Sequence, residues 1–414
     1  MTAPPTGALI SPEYVTNVLQ RLVRIPSQYA EPDFSEHREI LEFLADQLAT
    51  IGGDVKLLTP SEGYPSLVGA FGPHDGKPRL AFLNHYHTVP AGVSENWSVD
   101  PFSGAIVGDR LYGRGSRDCK AGMAAALAAL KGVLNSGRRF RGRILFLAVP
   151  GEGAHVKSHP ALVREFEQDV RADWYLDGDG GFELRPVIGG FMWLKLTVTG
   201  RSGHSALYLP DGKPPVNANS KMVRVLAELL QVDKWMTYEK HPLFGPPRRY
   251  STKPIIEVGI LRGGTKVNII PSECQAHLDI RMLPSQKPAT VLEELGRVLS
   301  RMRDANPGLE VRIDIIGIQK PDLNIPPDDP LVLALKESTR RRLARELEEV
   351  GHIGSGKPEL MKLGTLVYFG PGEGGNVHTE DEYVLLPDVV GCAEVYADII
   401  DSLIVEETGE MSAR

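Results

Sequence analysis

The chain has 414 residues, 42% hydrophobic and 24% charged, with a net charge of −7; this suits a folded protein with more than one core and excludes a disordered chain. Opposite charges are interspersed with no basic stripe, which argues against nucleic acid and anionic membranes as partners, and no apolar run approaches the ~20 residues of a bilayer span. Cys119, Cys274 and Cys392 are widely spaced without a CxxC pattern, and MTAPPTGALISPEY has neither a basic start nor an apolar leader, so no disulfide framework or zinc knuckle is expected and the location expected is cytoplasmic.

Ser11-Pro12-Glu13 reads as an N-cap, a proline at the first helical position and an acid in the first turn, so a helix is predicted through Val23. A second runs from Ser35 to Ile51, closed by Gly52-Gly53. Strands follow at Ser66–Phe71 and Leu80–Asn84. An alanine-rich helix is predicted over Asp118–Asn135, then a buried strand at Ile144–Val149 and another at Trp174–Leu176. Strands alternating with helices predict a doubly wound α/β sheet. From about Gly190 the order becomes strand Trp193–Thr199, helix Asn217–Leu230, strands Pro254–Leu261 and Cys274–Arg281, helix Pro288–Met302 and strand Glu310–Ile316. That is the split βαβ, ferredoxin-like order, expected as an α+β domain at 190–318 inserted into a first domain of 1–189 and 319–414. The α/β pattern returns with helix Pro330–Glu348, strand Thr365–Phe369 and helix Asp388–Leu403.

Chemistry-bearing residues gather at strand ends, where open α/β sheets bind ligands. NHYHTVPAG offers His85 and His87, DRLYGRGSRDCKAG offers Asp118, and LAVPGEGAH presents Glu152 where a strand stops at a proline. DWYLDGDGG offers Asp177 and Asp179, and GPGEGGNVHTEDEYV offers His378. Singly, these read as surface histidines, an N-cap aspartate and turn-forming acids. Together they make a nitrogen and oxygen set of the kind that zinc, cobalt or manganese accepts, and a bridging carboxylate can hold two ions.

The order of these motifs, with DPFSGAIVGDRLYGRG, GRSGHSA, GGTKVNIIPSECQAHLDIR and FGPG…H…DE, resembles the di-zinc amidohydrolase family of aminoacylases, acetylornithine deacetylases, succinyl-diaminopimelate desuccinylases and glutamate carboxypeptidases. The resemblance spans nearly the whole chain. It implies two divalent ions, with Asp118 bridging, Glu152 and His378 completing one site, and His85 and Asp179 the other. Asp179 takes that place in preference to Asp177. In the inserted domain, expected to act as a lid and to form a homodimer, His204 resembles the histidine that polarises the scissile carbonyl, often across a dimer. Asn268 and Arg281 resemble residues that hold the carboxylate of a small amino-acid-like substrate, an Arg being suited by its planar fork; a surface strand charge is the plainer reading of Arg281.

Three positions depart from the pattern. The family carries two adjacent glutamates where this chain has Gly151 and Glu152, and the resemblance puts Gly151 at the general base, a group typically worth ~10²–10⁴ in rate. His87 replaces an acid that accepts the first histidine's N–H, and could act as a further ligand or a base. In GHIGSGKPEL, Lys357 and Glu359 stand where an acid and a base are expected. Three functions remain open: a metal-dependent deacylase or amidase using His87, His155 or Glu152 as its base; a non-hydrolytic metalloenzyme performing cyclisation, condensation or elimination, in which Gly151→Glu is expected to create hydrolysis; and a catalytically silent binding protein. Cys119 reads as a packed thiol.

Overall fold

The computed structural model describes residues 9–29, 37–151, 155–245, 251–320, 325–354, 357–372 and 375–406, without the side chains of 155–157. The chain forms two compact units, Met1–Pro186 with Asn324–Glu349 and Glu359–Arg414, and Val187–Leu323 with Val350–Pro358. Among the described residues no helix is long and apolar enough to cross a membrane.

The first unit opens with α1 (Pro12–Arg24), where the Ser11 hydroxyl accepts the Tyr14 N–H at 3.2 Å and Val15, Val18, Leu19 and Leu22 form the buried stripe. There follow α2 (Arg38–Thr50), β1 (Asp54–Leu58), β2 (Ser66–Phe71), β3 (Arg79–His85), α3 (Ala121–Asn135), β4 (Arg143–Val149), α4 (His155–Val170) and β5 (Trp174–Asp177). The second unit contributes β6 (Gly190–Thr199), α5 (Ala218–Leu229), β7 (Ile255–Gly263), β8 (Glu273–Met282), α6 (Pro288–Ala305) and β9 (Val311–Gln319). The chain then returns through α7 (Pro330–Leu343), β10 (Thr365–Tyr368) and α8 (Leu386–Leu403).

The sheet of the first unit runs β1-β2-β4-β3-β5-β10. Its β4, β3, β5 and β10 are parallel, while β1 and β2 form an antiparallel edge. Apart from their first residues, β3 and β4 are buried throughout, as interior strands covered on both faces must be. Register pairs Leu83 with Asp177, so β3 and β5 deliver their carboxyl ends to the same sheet edge. Helix α3 begins at Ala121, three residues later than its alanine pattern predicts, because Asp118 and Cys119 have non-helical backbone angles.

In the second unit the sheet runs β7-β8-β6-β9, all antiparallel, the strand order of a split βαβ unit. Alternate residues of β8 (Cys274, Ala276, Leu278, Ile280, Met282) are buried against Met222, Val225 and Leu229 of α5 and Leu295 and Val298 of α6. Residues 350–358, which the expected boundaries leave in the first domain, group with this unit. The Gly351 N–H donates to the Leu243 carbonyl at 2.7 Å, and Ile353 packs with Phe244 and Leu283.

Candidate metal centre

His85 is the last residue of β3 and is buried. Its Nδ1 lies 2.8 Å from the His87 carbonyl, which can only accept, so Nδ1 carries a hydrogen and Nε2 is the nitrogen that presents a lone pair whenever the ring is neutral. That nitrogen faces Asp118 Oδ1 at 2.9 Å and Asp179 Oδ2 at 3.9 Å. The three residues offer donor atoms all within 4.8 Å of one another. Three electron pairs converging on one point require a proton or a cation between them, and the nitrogen and oxygen set fits a divalent ion such as zinc.

Asp118 lies in a turn, Ser116–Lys120, and does not cap α3, whose N-cap is Lys120. Its backbone is extended, at φ −122° and ψ 94°. While Oδ1 faces His85, Oδ2 lies 3.1 Å from Nε2 of His378, so one carboxylate stands between two imidazoles. Burial opposes ionisation of Asp118, but the His378 and His85 rings hold it well below the usual carboxylate range. For His85, burial favours the neutral ring; Cys119 and Asp118 outweigh it and raise the pKa well above the ordinary value. Cys119 is a packed thiol: its sulfur accepts the His85 backbone N–H and donates to the His85 carbonyl, both at 3.2 Å.

Asp177 stays buried and accepts the Asp179 N–H at 3.1 Å, a turn-forming role that leaves Asp179 as the acid beside His85. The sequence reading missed Glu382 and Arg114. Glu382 is buried and accepts the backbone N–H groups of Gly115 (3.2 Å), Arg117 (3.0 Å) and Asp118 (3.1 Å), and Arg114 Nη1 at 2.5 Å. Burial and the charge of Asp118 push the pKa of Glu382 up, opposed by Arg114 and the N–H groups of Arg117 and Gly115. The DE of the last motif was the only signal for this acid.

Position 151 has no space for a side chain. A Cβ there would lie 2.5 Å from Cγ and 2.6 Å from both Cβ and Nδ1 of His85. A side chain at 151, including that of the expected base-restoring variant Gly151→Glu, would therefore have to displace the His85 ring. The Gly151 N–H donates to His87 Nδ1 at 3.2 Å. His87 is fully buried among the rings of His37, Tyr64 and Tyr86, with centroids 4.1, 4.9 and 4.4 Å away. The His85 ring N–H goes to the His87 backbone and not to its ring, and His87 does not join the cluster of donors.

Glu152 and the side chain of His155 lie outside the described residues. Lys357 is buried in the second unit, and neighbouring Glu359 has Oε2 buried without a hydrogen-bond partner among the described residues. In that unit, the short strand Gly203–His204 pairs His204 with Ile269, and the Ser205 N–H donates to the Asn268 carbonyl at 3.2 Å, bringing His204 and Asn268 together. Arg281 does not join them. It stands near the far end of β8, its Nε 2.8 Å from Asp279 Oδ2.

Comparison with known proteins agrees with this architecture. The family model described as peptidase family M20/M25/M40 matches residues 81–402. The N-formyl-4-amino-5-aminomethyl-2-methylpyrimidine deformylase of Bacillus subtilis is 25% identical over 403 residues, covering 91% of this chain and 92% of its own. A succinyl-diaminopimelate desuccinylase of Methylorubrum extorquens is 28% identical over 405 residues, covering 92% and 97%. Among solved structures, the di-peptidase Dug1p of Saccharomyces cerevisiae shares the fold with a TM-score of 0.79 at 15% identity, covering 97% of this chain and 99% of that one. With its mixed α/β architecture and the match over most of its length, the chain belongs to the peptidase family M20/M25/M40.

Proposed function

We propose that this protein is a metal-dependent amidohydrolase that releases an amine from a small N-acyl amino acid or peptide-like amide. The observation that carries this reading is Asp118, with one carboxylate oxygen toward His85 and the other toward His378. His85, Asp118 and Asp179 would hold one ion, and Asp118 and His378 would hold a second. When bound, such ions polarise a carbonyl and acidify water. The chain's own part is to fix the donors: His87's carbonyl sets the His85 tautomer, and Gly151 leaves room for the ring. Elemental analysis after zinc loading should give close to two equivalents, falling in His85→Ala and in His378→Ala; a metal-free protein would sink the reading.

His87's Nδ1 is engaged by the Gly151 N–H, which leaves His155 and Glu152 of the three candidate bases; we take Glu152, a metal ligand by resemblance, as a base that leaves the metal. A base variant keeps its metal and loses turnover. Glu152→Gln should thus retain both ions while kcat falls ~10²–10⁴-fold; loss of one ion would make Glu152 a ligand instead.

The homodimer reading has support in the second unit. Edge strand β7 exposes the apolar Ile260 and Leu261, and helix α5 exposes Val223. His204 and Asn268 sit by the start of β8, and Arg281 lies eight residues on from Glu273, about 25 Å along an extended strand. A separation of that order is wide for one small substrate and favours a contribution from a second chain. The partner subunit's His204 would polarise the carbonyl while Arg281 holds the carboxylate.

A further inference from the structure

We infer that the Arg114–Glu382 pair is a positioning device that ties the Asp118 turn to the His378 loop and thereby governs the second ion separately from the first. The inference rests on the metal reading above and concerns residues that reading does not use.

The two candidate positions are built differently. His85 and Asp179 stand at or just beyond the ends of adjacent strands β3 and β5, and Cys119 clasps the His85 backbone in both directions. His378 lies on a loop beyond β10, with its side chain half exposed. Among the described residues of that loop, three non-glycines have left-handed backbones: Asn376 at φ 62°, His378 at 64° and Asp381 at 54°. Such residues persist only where surrounding bonds over-determine them.

Those bonds converge on one buried pair. Glu382 Oε1 accepts the N–H groups of Arg117 and Asp118, and Oε2 accepts Arg114 and Gly115. Arg114 reaches back with Nη2 to the carbonyl of Thr379, next to His378, at 3.1 Å. The Gly113 N–H donates to the Glu382 carbonyl at 2.9 Å, and the Trp97 ring lies 5.2 Å from the Arg114 guanidinium. Ser98 holds the remaining corner, its N–H and hydroxyl both donating to the Asp381 carboxylate at 2.7 Å. Both Glu382 oxygens face only donors, so a glutamine amide must turn one nitrogen toward two of them. Lysine at 114 keeps a positive charge beside Glu382 but lacks the fork that also reaches Thr379. Either change loosens the His378 loop against Asp118, while the Cys119–His85 bonds remain.

The test is zinc binding to the full-length protein, stripped and then titrated, for wild type, Glu382→Gln and Arg114→Lys, with circular dichroism to establish folding. Wild type is expected to take two ions. Each folded variant should keep the ion that His85→Ala abolishes and bind the other about 10- to 100-fold more weakly, the usual effect of removing a partner behind a ligand. Arg114→Lys carries the test if Glu382→Gln does not fold. Two ions of unchanged affinity in the folded variants would overturn the inference and leave the metal reading intact. Equal weakening of both ions would also overturn it, since a general loss of stability acts on both. A wild type that takes no zinc overturns the metal reading, and this inference with it.

Discussion

Gly151 is where a missing side chain carries most information. The residue reads from sequence as a lost catalytic acid, yet a Cβ there would overlap the ring of His85. Gly151→Ala should therefore reduce zinc binding and lower stability by about 1–3 kcal/mol, the usual cost of overpacking. Gly151→Glu should do the same and gain no hydrolysis. Thermal melting with and without zinc, beside an amine-release assay, checks both; a hydrolytic gain in Gly151→Glu would show that His85 yields at little cost. The steric reason was illegible in sequence because it depends on a ring placed by another strand. His87 misled for a related cause: its spacing from His85 suggests a ligand, but the fold sends its ring into the Tyr64, Tyr86 and His37 cluster.

The helices and strands were legible wherever the pattern was local. Proline and serine mark the start of α1, and alternating apolar residues mark β8. Not all were: β1 and α4 were not expected from the sequence, α6 runs three residues past its predicted end, and two other helix ends shifted for tertiary reasons. Helix α3 starts late because Asp118 is held extended by bonds from Glu382, 264 positions away along the chain. Helix α7 stops at Leu343, short of the predicted Glu348, where Ala344 turns left-handed at φ 51° and the chain leaves for a short strand, Glu348–His352. The arginines of its last turn serve a tertiary purpose: Arg342 binds both oxygens of Asp398 on α8, at 2.6 and 2.7 Å, and Arg341 adds a third contact at 2.7 Å. Asp398→Ala should detach this end of α7 and cost about 1.5–3 kcal/mol, the range for hydrogen bonds to charged groups. An unmoved urea midpoint would mean that water replaces these bonds without loss. Charge runs in sequence show a helix end, but not which acid on another helix receives them.

For the molecule as a whole, the alternation of strands and helices and the change of rhythm near Gly190 made a two-part α/β chain legible. The same pattern could not show that His204, in a separate two-stranded sheet, stands by the start of β8 while Arg281 stands near its end. If the partner subunit's His204 completes each site, His204→Ala and Asp118→Ala should each be inactive alone and regain activity when mixed, as heterodimers restore one intact site. Sedimentation checks that mixing exchanges subunits; exchange without recovered activity would place His204 and Asp118 in the same chain's site. On the proposed homodimer, Leu261→Lys, on the exposed edge of β7, should shift the protein to monomers and lower kcat together.

Asp118 between His85 and His378 also has a temporal meaning. Its two histidines are drawn from opposite ends of the sequence, and a ribosome adds only about 5–20 residues per second. For many seconds the growing chain holds His85, Asp118 and Asp179 but no His378, and then α8 must still close over α3. The pair of imidazoles around one carboxylate is thus completed only after every strand of the six-stranded sheet has been made.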